Sequence, residues 1–144
     1  MELPSTFSAD GSSILVFKFS AAYTFRPYDR FWGTGAPLRE FLHVDDLAAA
    51  CLFVLNMDDP PDLVNVGSGR EISIRELAEL VKRTSGCEAA ITWDSSKPDG
   101  TPRKLCDTSL IRSLGWAPAI GLEDGLQRTI AEYRAAVADG SVRL

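Results

Sequence analysis

The sequence of 144 residues has little of what a metal centre, a membrane span or a nucleic-acid-binding surface requires. It contains one histidine, and its three cysteines (Cys51, Cys87 and Cys106) lack the spacing of metal ligands, so we expect no metal site. No apolar run reaches the roughly 18 residues that a membrane-spanning helix needs. The net charge of −5 provides no basic excess for binding nucleic acid. The odd number of cysteines indicates reduced thiols, and we therefore predict a cytoplasmic protein. From its charge and its lack of a long apolar run, we expect it to bind neither nucleic acid nor a membrane.

The sequence has enough apolar material for the core of one globular domain, since 45% of its residues are hydrophobic. Short strand-like runs alternate with segments of helical periodicity, which predicts a mixed α/β fold with short strands and about four helices. Residues 1–30 stay unassigned apart from a candidate strand at residues 14–19, and residues 31–138 form the predicted folded lobe. Residues 139–144 are expected to be a frayed tail.

A β-hairpin is predicted for residues 30–44, because a Gly-Thr-Gly-Ala-Pro turn separates two strand-like arms. In the second arm, a period of two places Arg39, Phe41 and His43 on one face. If this face borders a cleft, Trp32 and Arg39 lie near each other at the mouth of the hairpin. In the alternative interpretation, Trp32 fills the core and Arg39 is a surface charge.

The next element is a predicted helix that Asp45 and Asp46 open. A carboxylate at this position accepts hydrogen bonds from free backbone N–H groups and suits the positive end of the helix dipole. Capping explains the pair better than acid–base chemistry, because adjacent side chains point apart. The core-facing stripe of this helix is predicted to consist of Leu47, Cys51, Val54 and Leu55.

Local signals also predict the later elements. Ser73 and Glu76 form a capping box at the start of a helix that Gly86 ends. A strand is predicted at residues 90–93, and a short helix later begins at either Asp107 or Thr108. A further strand at residues 63–66 leads into a Gly-Ser-Gly turn. That turn is only part of a dinucleotide fingerprint, and a turn that ends a strand is the simpler explanation.

Residues 97–104, called the cationic loop below, set Lys97, Arg103 and Lys104 against a single acid, Asp99. Prolines and a glycine within the loop favour turns over a helix. A stiff loop of this kind suits an anionic ligand, because its charge is held in place before binding. The alternative explanation is a solvated surface turn.

Four segments together carry a resemblance to a known family. They are residues 32–47 (WGTGAPLREFLHVDDL), 65–69 (NVGSG), 74–77 (IREL) and 97–104 (KPDGTPRK). In this order they resemble the GDP-L-fucose synthases, which belong to the extended short-chain dehydrogenases/reductases. The resemblance extends from about residue 31 to residue 133 and implies an α/β fold, that of the family's substrate-binding lobe.

The resemblance also implies a reaction and a set of ligand contacts. The family epimerises GDP-4-keto-6-deoxy-mannose at two carbons and then reduces its keto group with hydride from NADPH. The resemblance assigns contacts with the GDP-sugar to Trp32, Arg39 and Asp99. An indole can pack on a ring, a guanidinium can bind phosphate oxygens, and a carboxylate can accept hydrogen bonds. The weaker candidates for contact with the same anion are Lys97, Arg103 and Lys104.

The sequence departs from the family in the parts that serve hydride transfer. It has neither the Gly-x-x-Gly-x-x-Gly turn that holds the cofactor pyrophosphate nor the catalytic Tyr-x-x-x-Lys pair. We therefore predict no complete Rossmann domain, no catalytic residue and no bound cofactor in this chain alone, whereas the family uses NADP. Expected partners are a GDP-sugar and either a second copy of the chain or a chain that supplies the cofactor domain. A binding module for nucleotide-sugars and an interaction protein with a vestigial site are the alternatives.

Overall fold

The computed structural model describes residues 28–141, which form five strands and four helices. The mixed α/β fold with four helices predicted above is thereby confirmed. In chain order the elements are β1 (Tyr28–Trp32), β2 (Leu38–Glu40), α1 (Val44–Leu55), β3 (Glu71–Ser73), α2 (Ile74–Ser85), β4 (Ala90–Asp94), β5 (Arg103–Lys104), α3 (Ser109–Ser113) and α4 (Leu122–Ala138).

The strands form two small sheets. In the first, β1 and β4 are parallel, and Phe31 lies opposite Trp93. In the second, β2 is central, with β3 antiparallel on one side and β5 parallel on the other. The cationic loop connects the two sheets, because it leaves β4 in the first and ends in β5 of the second.

The predicted hairpin at residues 30–44 is wrong, because β1 and β2 lie in different sheets. The turn between them contains two glycines with positive φ, Gly33 (79°) and Gly35 (76°), which direct the chain away from β1. Other segments take up the backbone groups that a hairpin would pair: the N–H of Leu38, for example, donates to the carbonyl of Pro102 at 2.8 Å. The alternation of faces also stops at Glu40, where β2 ends.

Two apolar clusters form the core. The larger packs α2 against α4 beneath both sheets and includes Phe41 and Ile72 among its partly buried members. The smaller joins α1 to the segment around α3. The buried residues of the larger cluster are Leu77, Ala78, Leu80, Val81 and Leu126, and those of the smaller are Ala50, Ile111 and Trp116.

The predicted boundaries of α2 are confirmed. The hydroxyl of Ser73 accepts from the N–H of Glu76 at 3.1 Å, and the Glu76 carboxylate accepts from the N–H of Ser73 at 2.9 Å. Gly86 ends the helix with φ of 69° in the left-handed region. For α3, Thr108 occupies the N-cap position without a side-chain cap hydrogen bond, and the carboxylate of Asp107 before it accepts from the N–H of Ser109 at 2.9 Å.

The prediction that aspartates cap α1 is wrong. His43 is the N-cap, and its Nδ1 accepts from the N–H of Asp45 at 3.2 Å. The buried carboxylate of Asp46 instead accepts from the N–H groups of Ala119 and Ile120 at 3.0 and 2.9 Å. Asp46 thus joins α1 to the segment that precedes α4.

The core-facing stripe predicted for α1 is confirmed for Val54, which packs against the smaller cluster, and is wrong for the other three residues. Leu47 is 45% exposed, Leu55 is 78% exposed, and Cys51 is exposed too. The helix turns Asp46 and Ala50 inward, because the two hydrogen bonds of Asp46 fix its rotation about its axis. An apolar face of α1 therefore lies on the surface.

Two further strand predictions have different outcomes. Residues 63–66 form no strand: Leu63 is 81% exposed, while Val64 and Val66 pack against the smaller cluster. The candidate strand at residues 14–19 lies outside the described residues, as do residues 142–144 of the expected tail. Within the segment 1–30, the described part begins directly with β1.

Replacing Asp46 tests its role in fixing α1. We expect Asp46→Asn to lower the free energy of unfolding by about 2 kcal/mol, because its amide NH₂ would face one of the two N–H donors and leave that donor without an acceptor. Asp45→Asn makes the same change at an exposed position and should cost less than about 1 kcal/mol. Urea unfolding measures both effects, and equal losses for the two variants would contradict this role.

Candidate functional site

The cationic loop lies against the connection between β1 and β2, and Asp99 fastens it there. Its two carboxylate oxygens accept from the N–H of Thr34 at 2.7 Å and from the Thr34 hydroxyl at 2.6 Å. A Cβ at Gly33 would lie 2.2 Å from the carboxylate, so only glycine fits there. The hydroxyl of Thr34, followed by its amide, holds the pKa of Asp99 below its ordinary value.

Arg39 contacts the middle of the same loop. Its Nη1 donates to the carbonyl of Thr101 at 2.7 Å and to that of Leu38 at 2.6 Å. Its Nη2 faces Gly100, where a Cβ would come within 3.2 Å. Within the described residues, the hydrogen bonds of Arg39 all come from Nη1, so Nε and Nη2 keep their donors for an anion.

Trp32 lies at the start of the loop. Its side chain is 54% exposed, so the interpretation that it fills the core is wrong. The Nζ of Lys97 lies 5.7 Å from the centre of the indole ring, within the range of a cation–π contact. An exposed indole beside a positive charge offers a surface on which a planar ring can pack.

Arg103 and Lys104, the two cations of β5, differ in their surroundings. The guanidinium of Arg103 binds the carboxylate of Glu71 through Nε, at 2.8 Å to both oxygens, and through Nη2 at 2.6 Å. These hydrogen bonds lower the pKa of Glu71 and raise the pKa of Arg103. Lys104 lies beside Arg39 in the register of β2 and β5, so their side chains leave the same face of the sheet.

The structure thus brings Trp32, Arg39 and Asp99 to one loop, each through a different contact. Trp32 meets it through Lys97, Asp99 binds the turn after β1, and Arg39 binds Thr101. In the described part of the chain, no group of three or more metal-ligating side chains is present. None of the helices there is both long and apolar enough to cross a membrane.

Sequence reasoning missed two residues that shape the site. Thr34 supplies both donors to Asp99, and Arg75 donates to the carbonyl of Thr34 while its guanidinium lies 4.6 Å from the ring centre of Trp93. The hydrogen bonds between Thr34 and Asp99 and between Arg75 and Thr34 join residues 65 and 41 positions apart. The pair of glycines around Thr34 was the one local signal of an unusually close approach.

Comparison with known proteins gives the family. A model of the NAD dependent epimerase/dehydratase family matches residues 13–67. GDP-L-fucose synthase 1 of Arabidopsis thaliana is 60% identical over 102 residues, which are 71% of this chain and 32% of the relative. GDP-L-fucose synthase of Escherichia coli is 46% identical over 107 residues, 68% of this chain and 33% of the relative. The chain belongs to the GDP-L-fucose synthase family.

Solved structures agree with the extended short-chain dehydrogenase/reductase fold. A GDP-mannoheptose C4 reductase from Campylobacter jejuni with NADP bound is 36% identical, with a TM-score of 0.65 over 73% of this chain and 34% of the reductase. For the fold alone, a GDP-L-fucose synthetase from Naegleria fowleri bound to NADP has a TM-score of 0.70 at 21% identity, over 85% and 38% of the two chains. The chain spans about a third of the length of the curated relatives it matches.

A pH dependence follows from the lowered pKa of Asp99. The folded state favours its charged form, so its stabilising contribution is present above the ordinary value of 3.8 and is lost as pH falls through the lowered pKa. The difference in unfolding free energy between wild type and Asp99→Asn should therefore be largest above pH 3.8 and should shrink in more acidic solution. Asp62→Asn, at an exposed position, serves as the control in the same denaturation series. A difference that is independent of pH for Asp99→Asn would contradict this role.

Proposed function

We propose that this chain is the substrate-binding part of a GDP-L-fucose synthase and that it binds a GDP-sugar. The observation that carries the proposal is the gathering of Arg39 and Trp32 around a loop that Asp99 fastens in place. A preformed site of this kind loses little conformational entropy when an anion binds. The names of matched relatives, GDP-L-fucose synthases, supply the chemical class of the ligand.

The charges of the site suit a diphosphate. The free edge of the Arg39 guanidinium can donate to two phosphate oxygens, and Lys104 is its neighbour on the same face of the sheet. Arg103 contributes less, because Glu71 already neutralises it. The exposed ring of Trp32 then provides a packing surface for the base or the sugar. Asp99 keeps free lone pairs for ligand hydroxyls beside those that bind Thr34.

Hydride transfer needs groups that this sequence does not supply. Reduction of a keto group by NADPH requires an acid that protonates the developing alkoxide, and the family's Tyr-x-x-x-Lys pair does not occur here. We therefore assign the cofactor chemistry to a separate cofactor-binding part of the type found in the longer relatives. The chain itself binds the sugar nucleotide and orients it.

The outer face of α1 is the surface that suits this cofactor-binding part. It exposes a row of large apolar side chains at helical spacing, and a helix that is apolar on all sides is normally buried. A second copy of the chain fits less well, because the acidic residues near α1, Asp45 in its first turn and Asp58 and Asp59 beyond its end, would bring like charges together in a pair. Light scattering that showed a dimer would favour the second copy. The exposed residues of this face are Val44 (68%), Leu47 (45%), Leu52 (61%) and Leu55 (78%).

Binding of GDP tests the site directly. We expect Arg39→Ala to weaken GDP binding about tenfold or more, ~1.4 kcal/mol, because a charged donor to the diphosphate is lost. Isothermal titration calorimetry measures the affinity. Arg83→Ala removes an exposed arginine of α2 and should leave the affinity unchanged. A wild-type chain that binds no GDP, or equal affinities of the two variants, would refute the proposed site.

An NADPH oxidation assay tests the division of roles. The chain alone is expected to show no oxidation of NADPH in the presence of GDP-4-keto-6-deoxy-mannose, since it supplies neither the phosphate-binding turn nor the catalytic pair. Absorbance at the NADPH band gives the rate, and the same assay with an intact GDP-L-fucose synthase provides the positive control. Turnover by the isolated chain would show that its own residues complete the reaction.

A further inference from the structure

We propose that Glu40 is a positioning residue, which fixes the chain directly after the cationic loop against β2 and thereby holds Arg39 in its anion-binding position. This inference rests on the proposed function, since it concerns the same GDP site. Glu40 follows Arg39 directly in β2, so the two side chains leave opposite faces of the strand. Glu40 therefore acts on the site through the backbone and not through contact with the ligand.

Three donors from two different segments hold the carboxylate of Glu40. Its Oε1 accepts from the N–H of Gly69, with the hydroxyl of Ser68 at 3.5 Å. Its Oε2 accepts from the N–H of Cys106 at 3.1 Å. All three donors are neutral, and no ion pair of Glu40 is found among residues 28–141. The half-buried carboxylate is thus held by neutral donors of the protein, whose hydrogen bonds to a carboxylate are of the stronger, charge-assisted kind.

The backbone at Gly67 lies close to the carboxylate of Glu40. A Cβ at Gly67 would lie 2.5 Å from Oε1 and 2.8 Å from Cδ of Glu40, so a side chain at residue 67 would displace the carboxylate. Gly67 is itself buried. One side chain, that of Glu40, therefore holds to β2 both the turn at residues 67–69 and the segment at Cys106 that follows the cationic loop.

This attachment matters because β5 is only two residues long. Arg39 binds Thr101, which precedes β5, and Glu40 binds Cys106, which follows it. A two-residue strand has few ladder hydrogen bonds of its own, so these side-chain contacts keep its register. Without Glu40, we expect the carbonyl of Thr101 to lose its fixed place and Arg39 to lose the partner that orients its guanidinium.

The experiment is a double-mutant cycle on the GDP affinity of the full chain, measured by calorimetry. Glu40→Gln should weaken GDP binding about tenfold, ~1.4 kcal/mol, because its NH₂ group would face an N–H donor. In the Arg39→Ala background the same change should cost less than about twofold, because Glu40 acts through Arg39. Glu79→Gln, at an exposed position of α2, should change neither affinity. Equal losses in both backgrounds would indicate a general structural role and would overturn the proposal.

A readout without ligand separates this proposal from the proposed function. In NMR spectra, Glu40→Gln should shift the amide signals of residues 97–106, and Glu79→Gln should not. A wild-type chain that binds no GDP refutes the proposed function, whereas unchanged loop signals in Glu40→Gln refute the role of Glu40. Should Glu40→Gln fail to fold, Glu40→Asp, which keeps the charge on a shorter side chain, is measured in both experiments with the same criteria.

Discussion

The cationic loop has its place because side chains of a distant segment bind it at successive points, and the site depends on this attachment. Asp99 of the loop binds Thr34, Arg39 binds the carbonyl of Thr101, and Glu40 binds the N–H of Cys106, two residues after the loop. Each contact joins residues more than 60 positions apart in the chain. The loop contains two prolines and ends in a two-residue strand, so regular sheet hydrogen bonds alone fix little of it. Side chains of β2 and of the turn before it supply what the backbone ladder lacks.

The same contacts engage part of the charge that the sequence places on the cationic loop. By composition the loop has three cations and one acid, but Arg103 is paired with Glu71 and the carboxylate of Asp99 is hydrogen-bonded to Thr34. The cations on and beside the loop with no carboxylate partner in the described part of the chain are Lys97, Lys104 and Arg39 of β2, and Arg39 and Lys104 are neighbours in the sheet. The sequence predicts a loop whose charge is held for an anionic ligand. In the structure, part of that charge instead attaches the loop to the sheet.

What the sequence predicted well is what neighbouring residues decide. The capping box at Ser73 and the left-handed end at Gly86 require only residues within a few positions, and both were found as predicted. The hairpin and the orientation of α1 were wrong because distant partners decide them. β1 pairs with a strand about 60 residues later, and the inward rotation of α1 follows from the hydrogen bonds of Asp46 with residues 119 and 120. Periodicity contains no information on such partners, since α1 is apolar on nearly every side and offers no polar face that would orient it.

The lack of a polar face on α1 is also a physical reason to propose that ligand binding and hydride transfer belong to different parts of the protein. A helix in contact with the core on one side and apolar on the other needs a second surface to cover it. The matched relatives are about three times as long as the region that this chain shares with them, so they contain further chain that can provide such a surface. The residues that suit a GDP-sugar lie on the cationic loop and β2, whereas the uncovered face belongs to α1, the element that follows β2 directly. A cofactor-binding part seated on α1 would thus lie next along the chain to the proposed sugar-nucleotide site, because His43, which caps α1, is only three residues beyond the end of β2.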